Sequence, residues 1–191
     1  MRLMGLEGIA PGPNTSKGHP AHVRYPYLLR NVAVVRPNQA WCVDMTYVPM
    51  ALGFMYLVAI MDWFSRYVVA WAVSNTLEAD FCLEALEQAL ARYTPEIFNS
   101  DQGVQFTSQA WIDRVQAAGS LVSMDGRGRV FDNIFIERLW RSVKYEDIYL
   151  HDYATGPELA QGLNTYFTFY NHERPHQAHE YQTPYAVFTN S

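Results

Sequence analysis

The sequence predicts an α/β fold: one mixed five-stranded sheet, in which three antiparallel strands are followed by alternating helix and strand, with helices on both faces. Three observations carry that prediction. Hydrophobic patterning suits strands from 41 to 73 and switches to a helical period after 76. The links between the first three apolar runs are short enough for hairpins and too short for crossovers. Beyond 76, helical and strand patterns alternate, as in units that build a sheet with helices packed on its faces.

Each element has its own reason. WCVDMTYV (41–48) alternates, with Trp41, Val43, Met45 and Tyr47 on one face and Cys42, Asp44, Thr46 and Val48 on the other. FMYLVAIMD (54–62) is a continuous apolar run, the mark of a strand buried on both faces, and RYVVAWAV (66–73) is a third strand. TLEADFCLEALEQALARY (76–93) opens on Thr76 as helix cap, with Leu77, Phe81, Leu86 and Leu90 at helical intervals. PEIFNSD (95–101) is a short strand ending in a turn helped by Gly103. TSQAWIDRVQAAG (107–119) is a helix capped by Thr107 or Ser108 and stopped by Gly119, and SLVSM (120–124) is the fifth strand. DGRGR (125–129) is a glycine loop, Asp132 caps a further helix, and GPELAQGLNTYFTFYNHE (156–173) is a last one, stopped by Pro175. This is the element order of the ribonuclease-H-like fold. Three regions are expected: an extended basic arm over 1–39, a core over 40–155, and a C-terminal helix and tail over 156–191 packing on that core.

Composition bounds the function. The chain has 191 residues, 49% of them apolar, enough for one domain with a real core. FMYLVAIM (54–61) is too short to span a membrane, and the N-terminus has no secretory apolar stretch. Two cysteines make neither a disulfide framework nor a zinc knuckle, so a reducing cytoplasmic setting is expected. Net charge is −5, which argues against nucleic acid until its distribution is read. Residues 1–40 carry five bases against one acid, and 127–144 carries Arg127, Arg129, Arg138, Arg141 and Lys144 against Asp132 and Glu137. Local potential decides binding more than the total does.

Metal-dependent phosphoryl transfer needs hard oxygen ligands brought together by rigid elements. Asp44 lies mid-strand, where an acid is costly to bury without a partner. Asp101 closes the fourth strand, which this fold sets beside the first, and Glu137 sits on the helix after the fifth. At about 100° per residue, Glu137, Arg141 and Lys144 share one stripe, with Phe135, Ile136, Leu139 and Val143 roughly opposite. A plainer reading stands beside this one. With 19 acids in the chain, spacing alone selects little, and an acid four residues before an arginine is an ordinary helix ion pair.

The words around the acids discriminate further. WCVDMTYV resembles the W-x-x-D-x-T-Y segment of insertion-sequence transposases with a retroviral-integrase-type core. NSDQGVQFTS (99–108), SMDGRGRVFDNIFIERLWRSVKYE (123–146) and YNHERPHQAHEYQTPYAVF (170–188) are similar to that family's later motifs. Thirty-five residues separate Asp101 from Glu137, the family's D,D(35)E spacing. The closest likeness is to the IS-three family, second reading frame. The resemblance implies a DNA transposase in which Asp44, Asp101 and Glu137 bind two magnesium or manganese ions for phosphodiester cleavage and strand transfer. It further implies that Lys144, Arg141, Arg138, Arg127 and Arg129 contact DNA, and that the protein works as a homo-oligomer on insertion-sequence ends, at the bacterial nucleoid and away from membranes. The family carries a helix-turn-helix upstream of its core, and this sequence begins almost inside the last part of it. End recognition is then expected from the upstream-frame protein, or else the chain is a truncated, idle DNA-binding fragment that regulates transposition. His179-Glu180 stands where Leu-Gly is usual, which bears on the turn there.

Other residues attract plainer expectations. His172 and His176 are four apart, but Pro175 breaks the helix a metal pair would need. Cys42 reads as a small core side chain. Trp140 is expected either to pack or to stack on a base. Arg174 is expected to pair within the C-terminal tail.

Overall fold

The computed structural model describes residues 25–125 and 134–190. Strands β1 (Ala40–Pro49), β2 (Phe54–Asp62) and β3 (Val68–Ser74) form the antiparallel meander. β4 (Ile97–Ser100) and β5 (Leu121–Met124) add to it in parallel, giving the order β3-β2-β1-β4-β5. Parallel neighbours need crossovers, and helices α1 (Asp80–Leu90) and α2 (Gln109–Ala117) supply them. On the opposite face lie α3 (Ile134–Val143) and α5 (Gly156–His172), separated by a π-helical turn (Lys144–Ile148) and the short α4 (Tyr149–His151). The sheet is the ribonuclease-H-like one that the period and the short turns predict.

Alternation along the strands feeds two cores. Trp41, Val43, Val58 and Ile60 pack with Phe81 and Leu86 of α1 and with Trp111 and Val115 of α2. Cys42, Leu57, Ala59 and Met61 pack with Ile136, Leu139 and Val143 of α3 and with Leu159, Leu163 and Phe167 of α5. β2 is therefore apolar at every position from Tyr56 to Met61, since neither of its faces meets water. Each large side chain so enclosed contributes about 1.5–3 kcal/mol.

Several local expectations change. α1 begins at Asp80 behind Ala79 and not at Thr76. Thr76 closes a tight turn instead: its N–H donates to Ser74 Oγ (3.0 Å), and the two hydroxyls lie 3.3 Å apart. Ser108 is the α2 cap, accepting from the Trp111 amide, while the Thr107 hydroxyl donates to the Gly103 carbonyl at 3.0 Å. Gly119 ends that region at φ +84°. A further helix follows α5: α6 (Pro184–Thr189), capped by Thr183 with proline in its first turn, a start signal readable in the sequence. Glu180 takes φ +53°, which a side chain accepts at roughly 1 kcal/mol. The Asp132 cap lies outside the described residues.

Residues 25–39 run along the β5 edge before entering β1. The Leu28 amide donates to Ser123 Oγ at 3.0 Å, and the Met124 amide to the Pro26 carbonyl at 3.4 Å. Arg36 pairs with Glu96 at the far end of that path. Among the described residues no helix is long and apolar enough to cross a membrane.

The π turn is held by a lock between α4 and α5. Asp147 is buried, and both its oxygens accept from the Tyr153 hydroxyl, at 3.1 and 3.0 Å. Tyr153 fits because position 162 of α5 is glycine: a Cβ there would lie 1.9 Å from the Tyr153 hydroxyl oxygen. Gly-to-Ala inside a helix normally stabilises by about 1 kcal/mol. For Gly162→Ala the sign is expected to reverse, to a loss of about 1–3 kcal/mol in urea unfolding, because Tyr153 is pushed off a buried carboxylate. A gain in stability would show that Tyr153 is freely displaced.

Candidate active site

The site lies where β4 ends beside the middle of β1, beneath α3. Cys42 pairs with Asn99 in the parallel ladder, so two residues further along each strand stand Asp44 and Asp101. Adjacent strands are roughly 4.8 Å apart, and this register sets the two acids at neighbouring positions. Asp44 shares the face of Cys42 and Thr46, as the alternation predicts, and that face is the one α3 covers.

Asp44 is held, not merely buried. The indole Nε1–H of Trp140, on α3, donates to its Oδ2 at 2.8 Å. Its carboxyl is raised to about 6, first by burial and then by the negative charges of Asp101 and Glu137, against the pull of Trp140 and the Met45 amide. Two distant acids thus make themselves felt at a third. Glu137 is exposed in the first turn of α3, and three residues later Trp140 is buried against β1. The indole bond therefore also fixes the rotation of the helix that carries Glu137.

Asp101 has its own support. Its Oδ1 accepts the Gly103 amide at 2.8 Å, and a Cβ on Gly103 would lie 2.8 Å from that same oxygen. A larger residue is accommodated here only if the Asp101 carboxylate shifts, so glycine serves space and not backbone conformation. Beneath it runs a buried chain: Ser123 Oγ donates to Asn99 Oδ1 (2.8 Å), and Asn99 Nδ2 donates to Asp125 Oδ1 (2.8 Å). The Asp125 amide returns to the Ser100 carbonyl at 2.9 Å, tying the ends of β4 and β5 together. Satisfied buried networks of this kind rigidify what they join.

The cations divide into two groups. Lys144 is half-buried, and its Nζ donates to Thr46 Oγ1 at 2.7 Å, beside Asp44 on β1. Burial lowers its pKa, and the Asp44 charge opposes that. Arg138 and Arg141 are exposed on α3. Arg127 and Arg129 lie outside the described residues. Among the described residues no three His, Cys, Asp or Glu side chains are already gathered closely enough to close around an ion.

Two expectations are revised, at Arg174 and Phe135, and the structure gives Trp140 and the two histidines definite contacts. Trp140 is buried and bonded to Asp44, so it is not placed to stack on a base; its ring nitrogen facing an inward strand acid was the missed signal. Arg174 reaches Glu146 on the π turn with two bonds, 2.9 and 2.6 Å, not a partner in the tail. Phe135 is half-buried with the Arg66 guanidinium over its ring at 3.2 Å, and so lies at the rim and not in the core. His172 packs on the Tyr185 ring at 4.4 Å and His176 edge-on to Tyr170 at 4.9 Å, so the two imidazoles serve different contacts. Cys42 is buried with its thiol pushed up by burial, the core role expected of it.

Residues 34–129 match an Integrase core domain family, and 118–184 match a second family of the same description. A transposase for insertion sequence element IS629 from Shigella sonnei is 34% identical over 178 residues, 91% of this chain and 60% of that protein. A transposase for IS904 from Lactococcus lactis is 31% identical over 193 residues, 96% of this chain and 76% of that protein. Among solved structures, the HTLV-2 integrase catalytic core domain in complex with magnesium aligns with TM-score 0.64 at 20% identity, over 81% of this chain and 98% of that one. A simian T-cell lymphotropic virus intasome aligns with TM-score 0.71 at 20% identity, over 91% of this chain and 61% of that one. The two structures share the fold, and the chain spans 60% of the length of the Shigella transposase. With the sheet order, the integrase-core match and relatives of this similarity in hand, the chain belongs to the integrase-core transposases of insertion sequences, in the IS-three family.

Proposed function

We propose that this chain cleaves and joins DNA phosphodiesters at insertion-sequence ends, using Asp44, Asp101 and Glu137 to hold two magnesium or manganese ions. The observation that supports the proposal is the β1–β4 register, which brings Asp101 beside a buried Asp44 anchored by the indole of the same helix that carries Glu137. A buried carboxylate with further carboxylates beside it makes a hard-oxygen donor set suited to a divalent cation. When bound, such ions polarise the phosphodiester and stabilise the charge on its attacking and leaving oxygens. Trp140 aims Asp44, Gly103 leaves room for Asp101, and the rotation of α3 presents Glu137.

The chemistry balances without an energy source. A water oxygen bonds to phosphorus as the bond to a 3′ oxygen breaks; the freed 3′-hydroxyl then attacks a target phosphodiester, releasing another 3′-hydroxyl. No side chain is covalently modified. Lys144, Arg141 and Arg138, with Arg127 and Arg129, hold the phosphates along the strand. DNA ends, target DNA, further copies of this chain and an upstream-frame helix-turn-helix protein are the proposed partners.

The test incubates the protein with a pre-cut end oligonucleotide and plasmid, with magnesium or with chelator. Joining that needs metal and is lost in Glu137→Gln is the expected outcome. Binding without joining in any metal would leave a DNA-binding fragment that regulates transposition. Lys144→Ala is expected to weaken binding and lower the salt slope by about 0.9, one phosphate's worth. An unchanged slope would remove Lys144 from the DNA path.

A further inference from the structure

We infer that Tyr145 and Tyr149 form a stacking platform for unpaired bases of the DNA strand that enters the site, an inference that rests on the DNA-joining reading above. The argument begins with exposure. The two rings are 67% and 52% exposed, large apolar faces at a surface where neither adds to a core. They pack edge to face at 5.3 Å and 84°, so each fixes the other's orientation and leaves a face outward.

Their position gives the exposure a direction. Glu137, Arg141 and Tyr145 follow one another at four-residue steps on α3 and its continuation, and all three are exposed. A plain α-helix would carry Tyr149 about 120° away from Glu137. The π turn over Lys144–Ile148 absorbs one extra residue and cuts that drift to about 20°. One stripe therefore runs acid, cation, ring, ring.

Charge on the stripe favours a polyanion. Glu146, interleaved with the tyrosines, is engaged by Arg174 and by the Tyr166 hydroxyl, and Asp147 is buried against Tyr153. The two acids between the rings are thus occupied, while Arg141 and Lys144 precede the rings on the side of Glu137. An aromatic pair beside cations is how sequence-tolerant strand binders hold bases. Tyr145 lies about 12 Å along the helix from Glu137. At about 3.4 Å per nucleotide, the platform meets bases three to four positions from the reacting phosphodiester.

The test uses the full chain with two fluorescent probes of one sequence. One is a blunt duplex; the other is forked, with 2-aminopurine at the fourth nucleotide from its 3′ end. Wild type is expected to prefer the fork and quench the 2-aminopurine. Tyr145→Ala with Tyr149→Ala is expected to lose about tenfold or more on the fork, with blunt-duplex affinity and salt slope retained. The paired Phe substitutions are expected to restore fork binding, because stacking needs the ring and not the hydroxyl. Equal losses on both probes, unaltered quenching in the Ala variant, or a changed oligomeric state by light scattering would overturn the platform alone. Failure of the wild type to bind either probe would overturn the DNA-joining reading, and the platform with it.

Discussion

Asp44→Asn is expected to cost strand joining about a thousandfold or more, in line with removing one electrostatic element from a phosphoryl-transfer site, while making the metal-free protein more stable. The two effects share an origin. Wild-type Asp44 is raised to about 6 by burial and by the Asp101 and Glu137 charges. The folded state thus holds a proton that the unfolded chain releases nearer pH 4, so stability in chelator falls as pH rises between about 4 and 6. A shift of this size corresponds to roughly 3 kcal/mol above that window. Asparagine keeps an oxygen for the Trp140 N–H and removes the charge. The variant should therefore show a flatter stability profile across that window by urea unfolding in chelator, and should lose stabilisation by added manganese. A variant that joins DNA at the wild-type rate would remove Asp44 from the chemistry.

Trp140→Phe is expected to lower metal affinity and joining about 10–100-fold, the cost usually met when a ligand's supporting hydrogen bond is lost. The indole N–H is the largest influence favouring ionised Asp44. Without it the carboxyl rises further and binds a cation only at higher pH. The diagnostic is the pH at which manganese binding reaches half its plateau by calorimetric titration. That midpoint should move upward in Trp140→Phe, with affinity recovering toward wild type at alkaline pH. A uniform loss at every pH would mean that the ring serves only as packing, since Phe leaves a gap in the core below α3.

What the sequence shows and what it hides divide along a physical line. The strand periods of β1 to β3, the Ser108 cap and the Gly119 stop are local, and each is legible in a few neighbouring residues. The adjacency of Asp44 and Asp101 was also predictable, because a parallel β1–β4 pair follows once the sheet order is known. Thr76 misled because a threonine can cap a helix or close a turn, and Ser74, two residues back, decided between them. The π turn was invisible: it depends on Asp147 meeting Tyr153 six residues on, past a further helical turn, and on Glu146 meeting Arg174 and Tyr166, 28 and 20 residues away. Trp140 was judged by its ring when its nitrogen mattered. The bond it makes spans 96 positions and leaves no trace in spacing.

The close approach at Gly103 reaches beyond this chain. An added Cβ would lie 2.8 Å from the Asp101 oxygen, so any larger residue dislodges a carboxylate it leaves chemically intact. On the DNA-joining reading proposed above, a decaying gene copy would then retain every acid and still encode an inactive protein. On that reading, genome surveys that score functional copies by the acids alone would overcount them, and this glycine belongs in the score beside them.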